Sequence, residues 1–287
     1  MTNYPWLKKY QKKKLFSILL IILKNFLAYI NMKSELIILG CGSSIGVPRI
    51  DGFWGNCKKN EKKNNRTRCS ALIVKGSNTI LIDTSPDLKY QLLSNKIKNI
   101  SSVIFTHEHA DQTNGLFELR PFFWKHNKKI NVYGDLQTMN LIKKRQEYLF
   151  KKASTYPPII KSNIIKSRFS LGKSNEKIIF KTFKVMHGKT NCLAYIFEKT
   201  AYISDSNDLS IIKMKELKNL KYLIIDCLKL KKHPSHFNLK ESLYVHQKLK
   251  PKKTILTNLH HDLDYNYLLK KLPRDVVPAY DGLKISL

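Results

Sequence analysis

The chain has 287 residues, of which 43% are hydrophobic, so it can bury a sizeable core and is not a disordered polymer. Its 52 basic and 21 acidic residues give a formal net charge of +31, and only seven of the basic residues are arginine. Because sequence-specific readers of nucleic acid rely on arginine, this balance favours a compositional bias over a dedicated nucleic-acid surface. Such a positive field still attracts phosphates and anionic lipid, so nucleic acid stays open as an alternative partner.

The five cysteines include no C-x-x-C pair and are odd in number. A disulfide framework is therefore not expected, and we predict a reducing, cytoplasmic location.

Residues 1–33 are predicted to be an N-terminal extension outside the fold. A lysine-rich stretch, residues 8–14, precedes an apolar stretch, residues 15–30, which Lys24 and Asn25 interrupt. The apolar stretch is too short and too interrupted for a transmembrane helix, and no clean signal-peptide cleavage site follows it. Two alternatives stay open. Residues 8–30 form a basic helix that contacts a membrane surface, or translation starts at Met32.

Residues 34–287 are predicted to form one domain in which short strands alternate with helices. Strands are predicted at residues 36–39, 71–74, 79–82, 103–105, 130–133, 180–186, 193–197, 200–203, 223–225 and 254–256. Helices are predicted at residues 88–93, from Asp135 onward, and at residues 209–217 and 239–249. Residues 151–180, rich in lysine and serine, are predicted to be a peripheral insertion. Polar residues at the strand ends favour a layered α/β fold.

The clearest chemical motif is the segment of residues 106–112, directly after the predicted strand 103–105. His107 and His109 are two positions apart, so on an extended chain their side chains point the same way. Asp111 follows two residues later. Imidazole and carboxylate ligands together suit zinc, manganese or iron. The segment therefore predicts a metal site at the end of this strand.

Three further strand ends carry residues of the same kind. His187 follows strand 180–186, Asp205 follows strand 200–203, and Asn258 and His260 follow strand 254–256. A single histidine or aspartate at a strand end is more often a turn or cap residue. Four such ends in series predict one shared site.

This series resembles the metallo-β-lactamase fold superfamily, from about residue 36 to the C-terminus. Within it, the chain is similar to a phosphodiesterase branch that includes the phosphoribosyl cyclic-phosphate phosphodiesterases. The supporting stretches are residues 39–44, 47–48, 68–70, 115–120 and 280–282. The resemblance implies a four-layer αββα sandwich, and relatives are commonly homodimers. It also implies a metal-dependent phosphodiesterase that acts on a small phosphate ester, with a cyclic ester as one candidate.

The resemblance further implies one metal on His107, His109 and His187, with Asp205 shared or bridging. A second metal in such proteins is usually held by Asp111, Asp205 and two more histidines. At the positions of those histidines this chain has Gln112 and Asn258. Amide oxygens bind zinc weakly, so we predict one Zn²⁺ or Mn²⁺ per chain. Two ions are the alternative, with His260 as a substitute ligand. No structural zinc is predicted, since only Cys57 remains of the cysteine cluster found in relatives.

In this reading a metal-bound hydroxide attacks the substrate, and Asp111 orients the water or takes its proton. His236 matches the position of a general acid in phosphodiesterase relatives and would protonate the leaving oxygen. Four arginines are candidate anion contacts: Arg49, Arg66, Arg68 and Arg120. His126, His233 and His246 are interpreted as surface residues. Two other functions stay open, an RNA-processing nuclease and a non-catalytic descendant of the fold.

Overall fold

The computed structural model describes residues 14–16, 18–20, 33–152 and 156–287. Residues 14–16 and 18–20 are helical, and the other residues of the predicted N-terminal extension before Lys33 lie outside the described residues. Within the described ranges, no helix has the length and apolar character needed to cross a membrane.

The first of two sheets has seven strands, in the order β14-β1-β2-β3-β4-β5-β6. Pairing is antiparallel from β14 to β3 and parallel from β3 to β6. The strands are β1 (Ser34–Gly40), β2 (Ser70–Lys75), β3 (Asn78–Ile82), β4 (Ser102–Ile104), β5 (Ile130–Gly134), β6 (Ile160–Ile164) and β14 (Leu283–Ser286).

The second sheet also has seven strands, in the order β13-β12-β11-β10-β9-β8-β7. Pairing is antiparallel from β7 to β10 and parallel from β10 to β13, so it repeats the pattern of the first sheet. The sequence shows no internal repeat that corresponds to this similarity between the two sheets. The strands are β7 (Arg168–Leu171), β8 (Ile178–His187), β9 (Thr190–Phe197), β10 (Thr200–Ile203), β11 (Tyr222–Asp226), β12 (Lys253–Thr257) and β13 (Val276–Pro278).

Helices cover the outer faces of both sheets. They are α1 (Leu88–Ser94), α2 (Ala110–Thr113), α3 (Arg120–His126), α4 (Leu136–Arg145), α5 (Leu239–Leu249) and α6 (Tyr265–Lys271). The start of α5 is fixed by a capping box between Asn238 and Glu241. Asp135 caps α4 by accepting a hydrogen bond from the Thr138 N–H, as its position in the sequence predicted.

Three separate apolar clusters define four layers. In β1, Leu36 and Ile38 face the second sheet, whereas Ile37 and Leu39 face the helices, because side chains alternate along a strand. One cluster fills the space between the sheets, one lies between the first sheet and α1 and α4, and one lies between the second sheet and α5 and α6. The predicted αββα sandwich is therefore confirmed. All five cysteines are buried and unpaired, as expected without a disulfide framework.

The prediction that residues 151–180 form a peripheral insertion is wrong. This segment supplies β6 and β7, one edge strand for each sheet. Ile160 and Leu171 are buried, and Phe169 packs against the cluster between the sheets. Charged and polar residues are common on edge strands, where they discourage pairing with other chains, and here they hide the apolar alternation.

The predicted helix at residues 209–217 is also wrong in type. The segment forms two short 3-10 helices, Leu209–Lys213 and Lys215–Leu217, separated by the extended residue Met214. Ile211 and Leu217 both bury against the second sheet. In a straight α-helix, residues six positions apart are rotated by roughly 120° from each other, so both could not face the sheet.

A buried arginine joins the long loop after β1 to the loop after β12. Arg66 is 1% exposed. Its guanidinium donates to the carbonyl oxygens of Leu263 (2.7 Å) and His260 (3.2 Å) and to Asn64 Oδ1 (3.1 Å). Asn64 in turn donates to Asp264 Oδ2 at 2.7 Å. These bonds fix the loop that begins at the end of β12.

We expect Arg66→Met to lower the free energy of unfolding by about 3 kcal/mol, because the buried acceptors lose a charged donor. Urea denaturation would measure the change. Arg274 is exposed, so Arg274→Met is the matched control and should stay within about 0.5 kcal/mol of wild type. Equal effects at the two positions would contradict the bracing role of Arg66.

Candidate metal centre

The candidate site is built where strands of both sheets end. His107 and His109 follow β4 of the first sheet, and His187 ends β8 of the second. Asp205 follows β10, which runs in the same direction as β8 because both are antiparallel to β9. The carboxyl ends of these strands therefore meet at one edge of the sandwich, where α/β folds commonly place their ligands.

Three imidazoles converge at this edge. His107 Nε2 lies 2.9 Å from His109 Nδ1. The ring of His187 lies 5.2 Å from that of His107 and 5.1 Å from that of His109, centroid to centroid. One nitrogen from each ring lies within 4.8 Å of the other two. Ligands at about 2.0–2.1 Å from a shared zinc are no more than ~4.2 Å apart, so small adjustments bring these nitrogens onto one ion.

Hydrogen bonds fix which nitrogen of His187 is available. Its Nδ1 lies 2.8 Å from the carbonyl oxygen of Ser235. A carbonyl oxygen can only accept, so Nδ1 carries the proton and Nε2 keeps its lone pair. Ligand histidines in metalloproteins are typically oriented in this way.

His107 is oriented through a hydroxyl. Its Nδ1 lies 3.0 Å from Thr106 Oγ1, and that hydroxyl donates to Asp83 Oδ2 at 2.8 Å. Since the single hydroxyl proton is used on Asp83, His107 Nδ1 must donate, which leaves Nε2 free. Asp83 is fully buried and also accepts the Thr106 N–H at 2.7 Å.

Burial favours the neutral forms of His107 and His187. Desolvation lowers the pKa of His107 to about 3 and also lowers the pKa of His187. A metal binds the neutral ring, so these two rings do not have to lose a proton first at neutral pH.

Asp205 adds a carboxylate to this cluster. One of its oxygens forms a second three-residue group with nitrogens of His187 and His236. Burial alone would raise the pKa of Asp205, but nearby His107, His187 and His236 outweigh it and lower the pKa. Asp205 Oδ2 is buried and accepts no hydrogen bond from the residues that the structure describes. Three imidazoles beside an unsatisfied buried carboxylate oxygen fit a divalent cation.

His236 forms a dyad with Asp226. His236 Nδ1 lies 2.7 Å from Asp226 Oδ2, and its ring lies 4.4 Å from that of His187. Burial opposes protonation of His236, but Asp226 and then Asp205 outweigh it and raise the pKa of His236 to about 9. The sequence alone predicts no role for Asp226. Its position at the end of β11, between β10 and β12, was the available signal.

The residues at the predicted second metal position form two hydrogen-bonded pairs, Gln112 with Asp111 and Asn258 with Asp205. Gln112 is fully buried, and its side-chain Nε2 donates to Asp111 Oδ2 at 3.1 Å. Asn258 Nδ2 donates to Asp205 Oδ1 at 3.1 Å and to the Ser204 carbonyl oxygen at 3.2 Å. Both amides thus offer N–H groups to carboxylates. Asp111 is in neither three-residue group, and burial and nearby Asp205 raise its pKa.

Other histidines lie apart from the three imidazoles. His260 belongs to neither three-residue group, and its Nδ1 pairs with Asp262 Oδ1 at 2.9 Å. His246 was interpreted as a surface residue, which is wrong: it is 7% exposed and bonds to Thr254 Oγ1 at 2.9 Å. Because polar residues follow His246 in the sequence, the packing of this face of α5 on β12 was not predicted.

The four predicted anion contacts have other neighbours. The prediction for Arg66 is wrong, because its guanidinium is buried on the carbonyl oxygens of His260 and Leu263. Arg49 pairs with Asp51, Arg68 pairs with Asp87, and Arg120 lies against the rings of Trp124 and Tyr156.

Comparison with known proteins agrees with this geometry. A family model described as a beta-lactamase superfamily domain matches residues 78–260. A crystal structure of a diphosphatase from the PhnP family is 30% identical, with a TM-score of 0.80, and is matched over 89% of this chain and 98% of its own. Zn²⁺-bound PqqB from Methylobacterium extorquens is 15% identical, with a TM-score of 0.70 over 88% of this chain and 100% of its own.

A curated octanoyltransferase of Porphyromonas gingivalis is 30% identical over 253 residues, which is 86% of this chain. The chain spans about half the length of that relative.

The fold and the histidine–aspartate cluster define the class of metal-dependent hydrolases. The chain belongs to the metallo-β-lactamase fold superfamily, and the proteins to which it is similar include a diphosphatase.

We expect Thr106→Val to weaken Zn²⁺ binding by about 10- to 100-fold, because His107 Nδ1 and Asp83 lose the hydroxyl that joins them. Competition with a chromophoric chelator would measure the affinity.

Two variants serve as controls. Thr106→Ser keeps the hydroxyl and should bind like wild type. Thr200 is also fully buried, and its hydroxyl has no hydrogen-bond partner, so Thr200→Val should leave the affinity unchanged. Wild-type affinity in Thr106→Val would refute this role of the hydroxyl.

Proposed function

We propose that this protein is a metal-dependent phosphodiesterase that hydrolyses a small phosphate ester, with a cyclic ester as one candidate. The observation that carries the proposal is the His236–Asp226 dyad beside the three imidazoles, with His236 Nδ1 2.7 Å from Asp226. A cation site and an oriented proton donor are the two components that cleavage of a phosphate ester requires.

His107, His109, His187 and Asp205 would hold Zn²⁺ or Mn²⁺. When bound, such a cation lowers the pKa of a water molecule and offsets negative charge on a phosphoryl oxygen. Burial and then the nearby carboxylate of Asp205 raise the pKa of Asp111. Asp111 would orient the attacking water and accept its proton.

His236 would act as the general acid. Asp226 accepts the proton on Nδ1 and fixes the ring, so the proton on Nε2 is the one available to a leaving oxygen. Side-chain acids of this kind typically contribute about 10²- to 10⁴-fold to the rate.

The dyad favours catalysis over a non-catalytic role for the protein. Asp226 is fully buried, and within the described part of the chain its second oxygen, Oδ1, has no hydrogen-bond partner. Burying a carboxylate and an imidazolium together costs free energy that a well-packed apolar pair would not cost. A general acid that must point at a leaving oxygen requires a partner of this kind.

We further propose that one cation binds per chain. The amides of Gln112 and Asn258 donate to Asp111 and Asp205, which are the carboxylates that a second cation would need. These N–H groups satisfy part of the negative charge that would otherwise attract a second ion.

Similarity to a diphosphatase supports the choice of a phosphorus–oxygen bond as the target. Carboxylic esters and thiolesters have carbonyl centres, and the same fold can serve them, so the substrate is assigned from the site and from this relative together.

We expect His236→Asn to lower kcat by about 10²- to 10⁴-fold for a phosphodiester with an alkyl leaving group. With bis(p-nitrophenyl) phosphate the loss should be much smaller, because nitrophenolate leaves without a proton. Steady-state kinetics on both substrates would give the two ratios.

His233→Asn is the matched control, because its ring lies only 5.2 Å from that of His236. It should affect both substrates slightly and equally. Equal losses on both substrates in His236→Asn would contradict an acid role, and no turnover of either by wild type loaded with Zn²⁺ or Mn²⁺ would overturn the proposed function.

Elemental mass spectrometry of protein purified without a chelator should find close to one transition-metal ion per chain. His107→Ala should abolish it, since the cluster loses a central ligand. The double variant Gln112→His with Asn258→His should approach two ions per chain, because imidazoles then replace both amides. Two ions in the wild-type protein would contradict the one-metal arrangement.

A further inference from the structure

A second concave site lies away from the imidazole cluster. It is a cavity of about 400 Å³, lined by residues of the loop after β1, of α1 and of the segment between β13 and β14. Its side chains combine aromatic rings with lysines: Trp54, Tyr90, Tyr280, Lys59, Lys62 and Lys63. We call it the lysine–aromatic cavity. Its volume falls within the usual range for small-molecule sites.

One lysine of the cavity is held in place by tyrosines. Lys63 Nζ lies 4.7 Å from the centroid of the Tyr280 ring and 4.6 Å from that of Tyr265. It also donates to Tyr265 Oη at 3.3 Å. Cation–π contacts and this hydrogen bond fix the ammonium group beside an aromatic ring, so part of the ordering that a ligand would require is already present.

The other aromatic residues are accessible. Tyr90 on α1 is 61% exposed, and Trp54 is half-buried. Large aromatic side chains on a surface offer flat apolar faces against which another ring can stack.

The charge of the cavity is positive. Its one carboxylate among the described residues, Asp281, is engaged by the protein backbone. Asp281 Oδ1 accepts the Cys41 N–H at 3.0 Å, and Oδ2 accepts the Thr67 N–H at 2.7 Å and the Thr67 hydroxyl at 2.6 Å. Three lysines therefore face the cavity opposite a carboxylate whose oxygens are already occupied.

Aromatic faces and lysines in one cavity fit a ligand that carries both a flat ring and a negative charge. We propose that the lysine–aromatic cavity binds a nucleotidyl group, with the base stacked on Tyr90 and the phosphate near Lys59, Lys62 and Lys63. Aromatic platforms beside lysines are the usual way in which proteins bind single-stranded nucleic acid without sequence preference. A free nucleotide and the end of an RNA strand share this chemistry. The inference concerns binding and does not depend on the proposed hydrolysis.

The cavity is also joined to the loop that carries Asn258. Asp281 accepts the Cys41 N–H, and the Cys41 carbonyl oxygen accepts the N–H of Leu259 at 2.8 Å. Leu259 directly follows Asn258 in the chain. Two hydrogen bonds thus connect the wall of the cavity with the edge of the candidate metal centre.

Binding would be measured with the full chain in a chelator, so that no metal-dependent turnover of the probe occurs. Three probes separate the contributions: AMP, ribose 5-phosphate, which lacks the base, and a fluorescein-labelled ten-residue oligoadenylate. Titration calorimetry suits the first two, and fluorescence anisotropy suits the third.

Tyr90→Ala should weaken AMP binding by about 5- to 100-fold, the usual effect of losing one stacking ring. It should leave ribose 5-phosphate binding unchanged, whereas Lys62→Ala should weaken both. Tyr267, 43% exposed, and Lys270 lie on α6 and do not line the cavity, so their alanine variants should bind like wild type. These controls separate the cavity from the general attraction of a chain with a net charge of +31.

The oligonucleotide identifies the source of the nucleotidyl group. Tighter binding than AMP that still depends on Tyr90 would support the end of an RNA strand, and equal affinities would support a free nucleotide. Equal affinity for AMP and ribose 5-phosphate, or no effect of Tyr90→Ala on either AMP or the oligonucleotide, would overturn the proposal. Loss of binding in the Tyr267 and Lys270 controls would also overturn it.

Discussion

The apolar contact between the two sheets is the constraint on which the site depends. Leu36 and Ile38 of the first sheet and Phe180 and Tyr195 of the second belong to one buried cluster. Because this contact holds the sheets face to face, strands that are far apart in the chain end at the same edge. No short segment could bring His107 and His187 together, since 80 positions separate them along the chain.

Burial at that edge has a cost, and the neighbours of the site offset it. Desolvation lowers the pKa of His107 to about 3, which makes its ring a neutral ligand. The same burial disfavours the charged form of each carboxylate, and each carboxylate has a hydrogen-bond partner that offsets this cost. Asp226 has His236, Asp83 has Thr106, and Asp205 has the amide of Asn258. The oxygen of Asp205 that remains without a partner is the one best explained by a cation.

The amides at positions 112 and 258 mark the clearest difference from the two-metal pattern that the sequence resembles. Each amide donates a hydrogen bond to a carboxylate, so these bonds already stabilise negative charge that a second ion would neutralise. More of the work on the leaving group then belongs to His236 and to basic side chains. The lysine–aromatic cavity shows that part of the large positive charge is organised beside aromatic rings and is more than a diffuse excess of lysine.

Much of this architecture follows from local signals in the sequence. Periodicity located β1 to β5 and β8 to β12, and the H-x-H-x-D spacing and the polar strand ends located every member of the imidazole cluster, because these signals are local. Periodicity failed at β6 and β7, where edge strands replace apolar alternation with lysine and serine. It also did not locate β13 and β14, the short strands at the opposite edges. The remaining features of the site depend on contacts that form only in the tertiary structure. The partner of His236, the hydroxyl that orients His107 and the carbonyl that orients His187 are contacts between distant segments, and neither spacing nor composition records which buried groups will face one another.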